Sequence, residues 1–205
     1  MKRFLIVLLV LSVLIPATLS ASALSISLGA TAVYNDTFGS ISEQMETGEY
    51  EGFADIDNYR IGADLRIKIL LAEIDAVAMF GSDGDATSIS MLTTVGVSFD
   101  LFNILRIGAG VGPRFNVNID PEGSMYVYDS DGDTVESLDN AGEAFLKSPL
   151  AYRITADLKL GKLLVGLNYT LDTLYTFEEW DQFDRIFTAP LDNGRMGISV
   201  LYSFF

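Results

Sequence analysis

A chain of 205 residues is long enough for one domain with a sizeable core, and an apolar fraction of 49% argues against disorder. It contains no Cys and no His, which excludes disulfides, thiolate metal sites, thiol nucleophiles, a lipid-modified N-terminal cysteine and the commonest general base. Asp and Glu outnumber Lys and Arg by 28 to 13, the opposite of the basic footprint that nucleic acid requires.

Residues 1–23 read as an export signal that is cleaved off, leaving 24–205 as the mature domain. Lys2-Arg3 is the charged start, Phe4 to Ile15 the apolar run, and Ala21-Ser22-Ala23 the small-residue cleavage site. The apolar run is too short to cross a bilayer as a helix, which takes roughly 20 residues. No later run is long enough either, so any membrane crossing has to be made by strands.

From Leu24 onward the pattern has period two. Leu24, Ile26, Leu28, Ala30, Ala32 and Tyr34 alternate with Ser25, Ser27, Gly29, Thr31 and Val33 in the first strand. The connection 35–58 is polar and contains acidic residues but no basic one. The second and third strands form a hairpin around Leu70-Leu71, with Tyr59, Ile61, Leu65, Ile67, Ile74 and Phe80 on one parity. On the other, pairing sets Arg66 opposite Asp75 and Lys68 opposite Glu73. A shorter loop at 81–86 leads to the fourth strand, 88–101, and a tight turn at 102–104 to the fifth, 105–118. Pro113 interrupts that strand and predicts a bulge or a loosened pairing.

The longest connection, 120–149, is expected to hold a small hairpin at Met125–Tyr128 and a helical turn at 143–147. The sixth and seventh strands, 152–160 and 163–172, turn at Gly161-Lys162. The loop 174–191 is rich in aromatics, with Phe177, Trp180, Phe183 and Phe187. An interfacial girdle or a loop folded over the barrel mouth accounts for them ahead of a partner-binding role. The eighth strand runs from Arg195 to the end.

Long and tight connections alternate along the chain, which places the long ones at one pole and the tight turns at the other. The expected fold is therefore all-β: an eight-stranded antiparallel up-and-down transmembrane β-barrel. A soluble periplasmic lipocalin-like barrel would show the same alternation with its sense reversed, and volume decides between them. Eight strands enclose a space that side chains just fill. The Leu, Ile, Val, Phe and Tyr parity is far too bulky for it, whereas the opposite parity interleaves glycines with a few long charged residues. The apolar face is thus expected to meet lipid.

The lumen then receives Arg60, Asp64, Arg66, Lys68, Glu73, Asp75, Asp100, Arg106, Arg114, Arg153, Asp157, Lys159, Asp172 and Arg195. Buried charges need partners, so this set reads as a salt-bridge network that largely plugs the barrel. The alternative is a small passive channel for hydrophobic or small polar solutes. The remaining acidic residues fall in the long connections, where Lys147 and Arg185 are the only basic ones.

In this arrangement, and in the aromatic end of the strand 195–205, the chain resembles the small bacterial outer-membrane β-barrels of the OmpX, OmpA-membrane-domain and OmpW kind. The resemblance implies an integral outer-membrane protein and makes Tyr202, Phe204 and Phe205 the signal for the barrel-assembly machinery. Phe204 lies in register with the outward residues and Phe205 does not, a departure from the family pattern. Enzymes among such barrels look to depend on an active-site His, absent here, so the chain is expected to be non-enzymatic. It is also expected to be a monomer without cofactors, playing a structural or surface-interaction role.

Asp129, Asp131 and Asp133 alternate as calcium ligands do. Counted from Asp129, however, the sixth and twelfth positions are Thr134 and Asn140 rather than the Gly and bidentate acid of an EF-hand. A solvated turn explains them better. Divalent cations held diffusely by the acidic pole are the remaining expectation.

Overall fold

A computed structural model describes residues 24–48, 50–83, 86–119, 121–123, 125–128, 134–135, 148–176, 185–186 and 189–204. The export signal at 1–23, Asp129, Asp131, Asp133, the turn at 143–147, Phe177, Trp180, Phe183, Phe187 and Phe205 lie outside them.

The elements in chain order are β1 (Leu24–Tyr34), α1 (Phe38–Thr47), β2 (Tyr59–Ile69), β3 (Ala72–Asp83), β4 (Ala86–Leu101), β5 (Leu105–Ile119), β6 (Met125–Tyr128), β7 (Thr134–Val135), β8 (Pro149–Leu160), β9 (Leu163–Thr176) and β10 (Arg195–Ser203). β1, β2, β3, β4, β5, β8, β9 and β10 pair antiparallel in that order, and β10 closes on β1, giving an eight-stranded up-and-down barrel. The seam pairs Ser27 with Ser203 through Val33 with Gly197, and Ser25–Ser203 and Thr31–Ser199 hydroxyl contacts stitch it on the inside. β6 adds to the loop end of β5, and β7 to β6.

Registered partners followed around the ring run Ile107, Ala156, Leu167, Ile198, Ala32, Ile61, Phe80, Ile89 and back to β5 at Val117. The path returns about ten residues further along, the stagger that closing a tilted sheet requires. That offset is even, so a residue that starts outside comes back outside and the two faces never exchange. Every member of the path belongs to the outward parity, which includes Leu167 and Phe80 at 55% exposure, whereas Asp64 and Ser90 on the inward parity are at 0%.

The strands differ from the sequence expectation at their ends. β3 and β4 reach Asp83 and Ala86, so the loop expected at 81–86 shrinks to 84–85, and β9 extends to Thr176. Around Pro113, pairing of β4 with β5 lapses between Leu92–Arg114 and Val95–Val111 without a shift of register, because Pro offers no N–H. The irregularity there is a loosened pairing. The bulge lies elsewhere, at Pro149–Ala151 against β9. The tight turn 70–71 places Leu70 at φ 59°, and 102–103 places Phe102 and Asn103 in the same left-handed region.

In sequence the connection 35–58 reads only as a polar, acidic segment. It holds α1, capped by the Thr37 side chain on the Ser40 N–H and ended by Gly48 at φ 78°, followed by two short 3-10 turns at 51–54 and 56–58. Ile41 is its buried residue, and a Phe38 N–H to Gly194 carbonyl hydrogen bond of 2.7 Å ties the helix start to the β9–β10 connection.

Candidate functional site

The inward parity places the charged side chains in three groups along the barrel. Nearest the tight turns, Asp100 at the end of β4 accepts from Lys68 Nζ at 2.5 Å, Arg106 Nε at 2.9 Å and Lys159 Nζ at 3.1 Å. Three cations converge on one carboxylate because β2, β5 and β8 all present a basic residue at the same pole.

At mid-barrel, Asp64 receives Arg66 Nε and Nη2 at 3.2 and 2.9 Å, Arg153 Nη2 at 2.7 Å and Ser199 Oγ at 3.1 Å. Arg66 spans the lumen to Asp157 at 2.6 Å, and Arg153 Nε lies 2.9 Å from Asp75. Asp64 and Asp157 are completely buried, and the two guanidiniums nearly so. Each arginine thus holds two carboxylates, the planar fork geometry that suits Arg to buried ion pairs.

Towards the long connections, Asp172 takes Arg114 Nη1 at 2.8 Å and Arg195 Nη1 at 3.2 Å. Arg114 Nε also reaches Ser90 Oγ, and Arg195 Nε the Asn35 carbonyl. At least twelve of the fourteen lumen charges expected therefore meet in ion pairs among the described residues. Arg60 lies against Gly81 near the loop end of β2. Glu73 is opposite Lys68 in register, as expected, but Lys68 turns across the barrel to Asp100.

Glu73 borders a void of about 10 Å³ lined also by Asp75, Gly96, Gly110, Arg153 and Thr155. Glu73 Oε2, Asp75 Oδ1, Arg153 Nη1 and Thr155 Oγ1 are buried there without a hydrogen-bond partner among the described residues. Its size is that of one water, and four polar atoms suffice to hold one. Val33, Val77, Met79, Leu92 and Ala151 fill more of the interior as an apolar cluster, and Asn168 bridges to Ser199 at 2.9 Å. These residues also sit on the inward parity, the signal by which sequence reasoning could have placed them.

Small residues make room for the network. Gly166 pairs with Asp157, and a Cβ at this position would fall 2.0 Å from Asp157 Oδ1. Gly166→Ala is expected to push that carboxylate off Arg66 and destabilise the barrel by about 1–3 kcal/mol, read as a lower urea midpoint in detergent micelles.

A closed ring with an apolar exterior and its ionic side chains inside has the architecture of the small outer-membrane β-barrels. No family model matches the chain, and neither does any curated protein. Solved structures similar to it include Ail, the attachment invasion locus protein of Yersinia pestis, at 13% identity and a TM-score of 0.45, covering 88% of this chain and 97% of that one. A second structure of Ail, in complex with the heparin analogue sucrose octasulfate, gives 14% identity and a TM-score of 0.41 over 88% and 97% of the two chains. Neisserial surface protein A gives 13% identity and a TM-score of 0.36 over 89% and 96%. At these values the likeness adds nothing to what the barrel's own geometry shows.

Proposed function

We propose that the protein is exported, spans the bacterial outer membrane as a monomer, and serves there as a non-enzymatic, closed barrel that presents acidic connections to the exterior. The observation that supports this reading is the sorting of side chains. Ile61, Leu167, Ile198 and Phe80 stand outward at about half exposure or more, while Asp64, Arg66 and Asp157 are buried in mutual contact. In water that exterior would be a belt of exposed apolar surface far larger than a soluble monomer carries. In lipid it is the favourable arrangement, and the inward charges are shielded from the acyl chains.

Asp64, Asp100, Asp157 and Asp172 are each held by at least one guanidinium or ammonium, an arrangement of structural ion pairs. Outer-membrane lipid and the barrel-assembly machinery, through Tyr202, Phe204 and Phe205, are the partners this reading requires, and the acidic connections are where exterior partners or divalent cations would meet it. Planar-bilayer recording of the purified protein tests the closed lumen. No reproducible open state is expected. A steady conductance that changes on Arg66→Ala or Arg114→Ala would replace this reading with that of a small passive channel.

A further inference from the structure

The β1–β2 connection forms a cup outside the barrel. Its cavity of about 530 Å³ is lined by Tyr34, Asp36, Gln44, Gly48, Tyr50, Gly52 and Asn58, within the size range of small-molecule sites. The floor is rigid. Tyr34 is buried, stacks on Phe53 with ring centroids 5.2 Å apart and meets the edge of Tyr59 at 5.1 Å, while the Tyr59 hydroxyl donates to the Phe53 carbonyl. Asn58 Nδ2 donates to the Gly52 carbonyl at 2.9 Å.

The charged group among the described lining residues is the carboxylate of Asp36. Gln44 Nε2 donates to Asp36 Oδ2 at 2.9 Å, which fixes the orientation of the carboxylate. The Tyr34 hydroxyl, Asn58 Nδ2 and Gln44 Oε1 converge on the space beside Gly52. The cup also lies at the C-terminal end of α1, the negative end of its dipole, and no basic residue stands in the last turn. The whole connection 35–58 lacks Lys and Arg. Arg195 reaches its base, but its Nε is engaged by the Asn35 carbonyl and its Nη1 by Asp172. Aromatic walls, a carboxylate and a helix C-terminus suit the cup to a positively charged donor. A metal ion fits poorly, since among the described residues no three carboxylates converge.

We propose that this cup binds a small organic cation carrying primary ammonium groups, with Asp36 as its counter-charge, Gln44 at the floor and Tyr50 as an aromatic wall. The site goes beyond the membrane role, because its chemistry lies outside the barrel and does not depend on whether the lumen conducts.

Calorimetric titration of the detergent-folded protein with 1,4-diaminobutane, at fixed ionic strength, tests it against 1,4-butanediol, a neutral molecule of the same length. A saturable single-site isotherm is expected for the diamine and none for the diol. Asp36→Asn should weaken diamine binding about tenfold or more, while Asp57→Asn, the same charge change in the same connection but outside the cup, should alter it by less than about twofold. Equal losses in the two variants would reduce the effect to the diffuse field of the acidic pole and overturn the site. So would a diol that binds as well as the diamine, or a diamine that never saturates. If Asp36→Asn fails to fold, the contrast between diamine and diol on the unaltered protein decides the matter alone.

Discussion

Asp64→Asn is expected to lower the stability of the folded barrel by about 3–5 kcal/mol, measured as the shift in urea unfolding in lipid vesicles. Asn keeps the shape of the side chain and one acceptor oxygen. It removes the charge that Arg66 and Arg153 share, and it turns an amide donor towards one of two guanidiniums already full of donors. Asp157 and Asp75 remain for those arginines, so the barrel loses an anion and keeps both cations. The companion variant is Asp64→Asn with Arg153→Met, which deletes charge of both signs. It should cost less than the sum of the two single changes, the mark of a direct interaction. A single change that stays within about 0.5 kcal/mol of the parent would mean that solvent screens the lumen, as it does surface pairs.

The second large effect belongs to the outer face. Val200 lies near the middle of β10, opposite Ala30 and Val165, and points outward at 48% exposure. Val200→Arg places a guanidinium where the acyl chains are thickest and is expected to cost about 2–4 kcal/mol in vesicles. In a soluble barrel the same change would be close to neutral and would improve solubility. The sign and size of this single measurement therefore separate a lipid-spanning barrel from a water-soluble one. Extraction of the protein without detergent would tell against the membrane reading in the same way.

The barrel strands were legible because period-two alternation is a local property. Leu24–Tyr34 and Tyr59–Ile69 fall on the residues where the alternation begins and ends, and Arg66 does lie opposite Asp75. The partners of the lumen charges were not legible. Lys68 neighbours Glu73 on the adjacent strand, yet Nζ goes to Asp100, because an inward side chain on a closed ring meets residues from strands far away in sequence. Arg66 and Asp157 meet for the same reason. α1 escaped notice on different grounds. Phe38, Ile41 and Met45 have helical spacing, but ten residues are too few to form a stable helix alone, and only Ile41 is buried. Its position depends on the bond from Phe38 to Gly194, a contact that no local pattern announces. The cup beside α1 was hidden with it.

The seam between β1 and β10 has a consequence for the order of assembly. It joins the first and last strands of the domain, so no register there can form until the whole chain is present, and pairings of such sequence separation are the slow ones. Asp64 accepts from Ser199 of β10, and Arg66 meets Asp157 only when the sheet has curled through half a circle. Before closure Asp64 and Arg66 keep each other, along β2, and Asp157 lacks its Arg66 contact. An open, partly formed sheet entering lipid would carry them incompletely paired, at a cost of several kcal/mol. For a barrel that enters lipid, curling and insertion are thereby expected to be coupled, with the pairing of β10 to β1 as the step that encloses the interior.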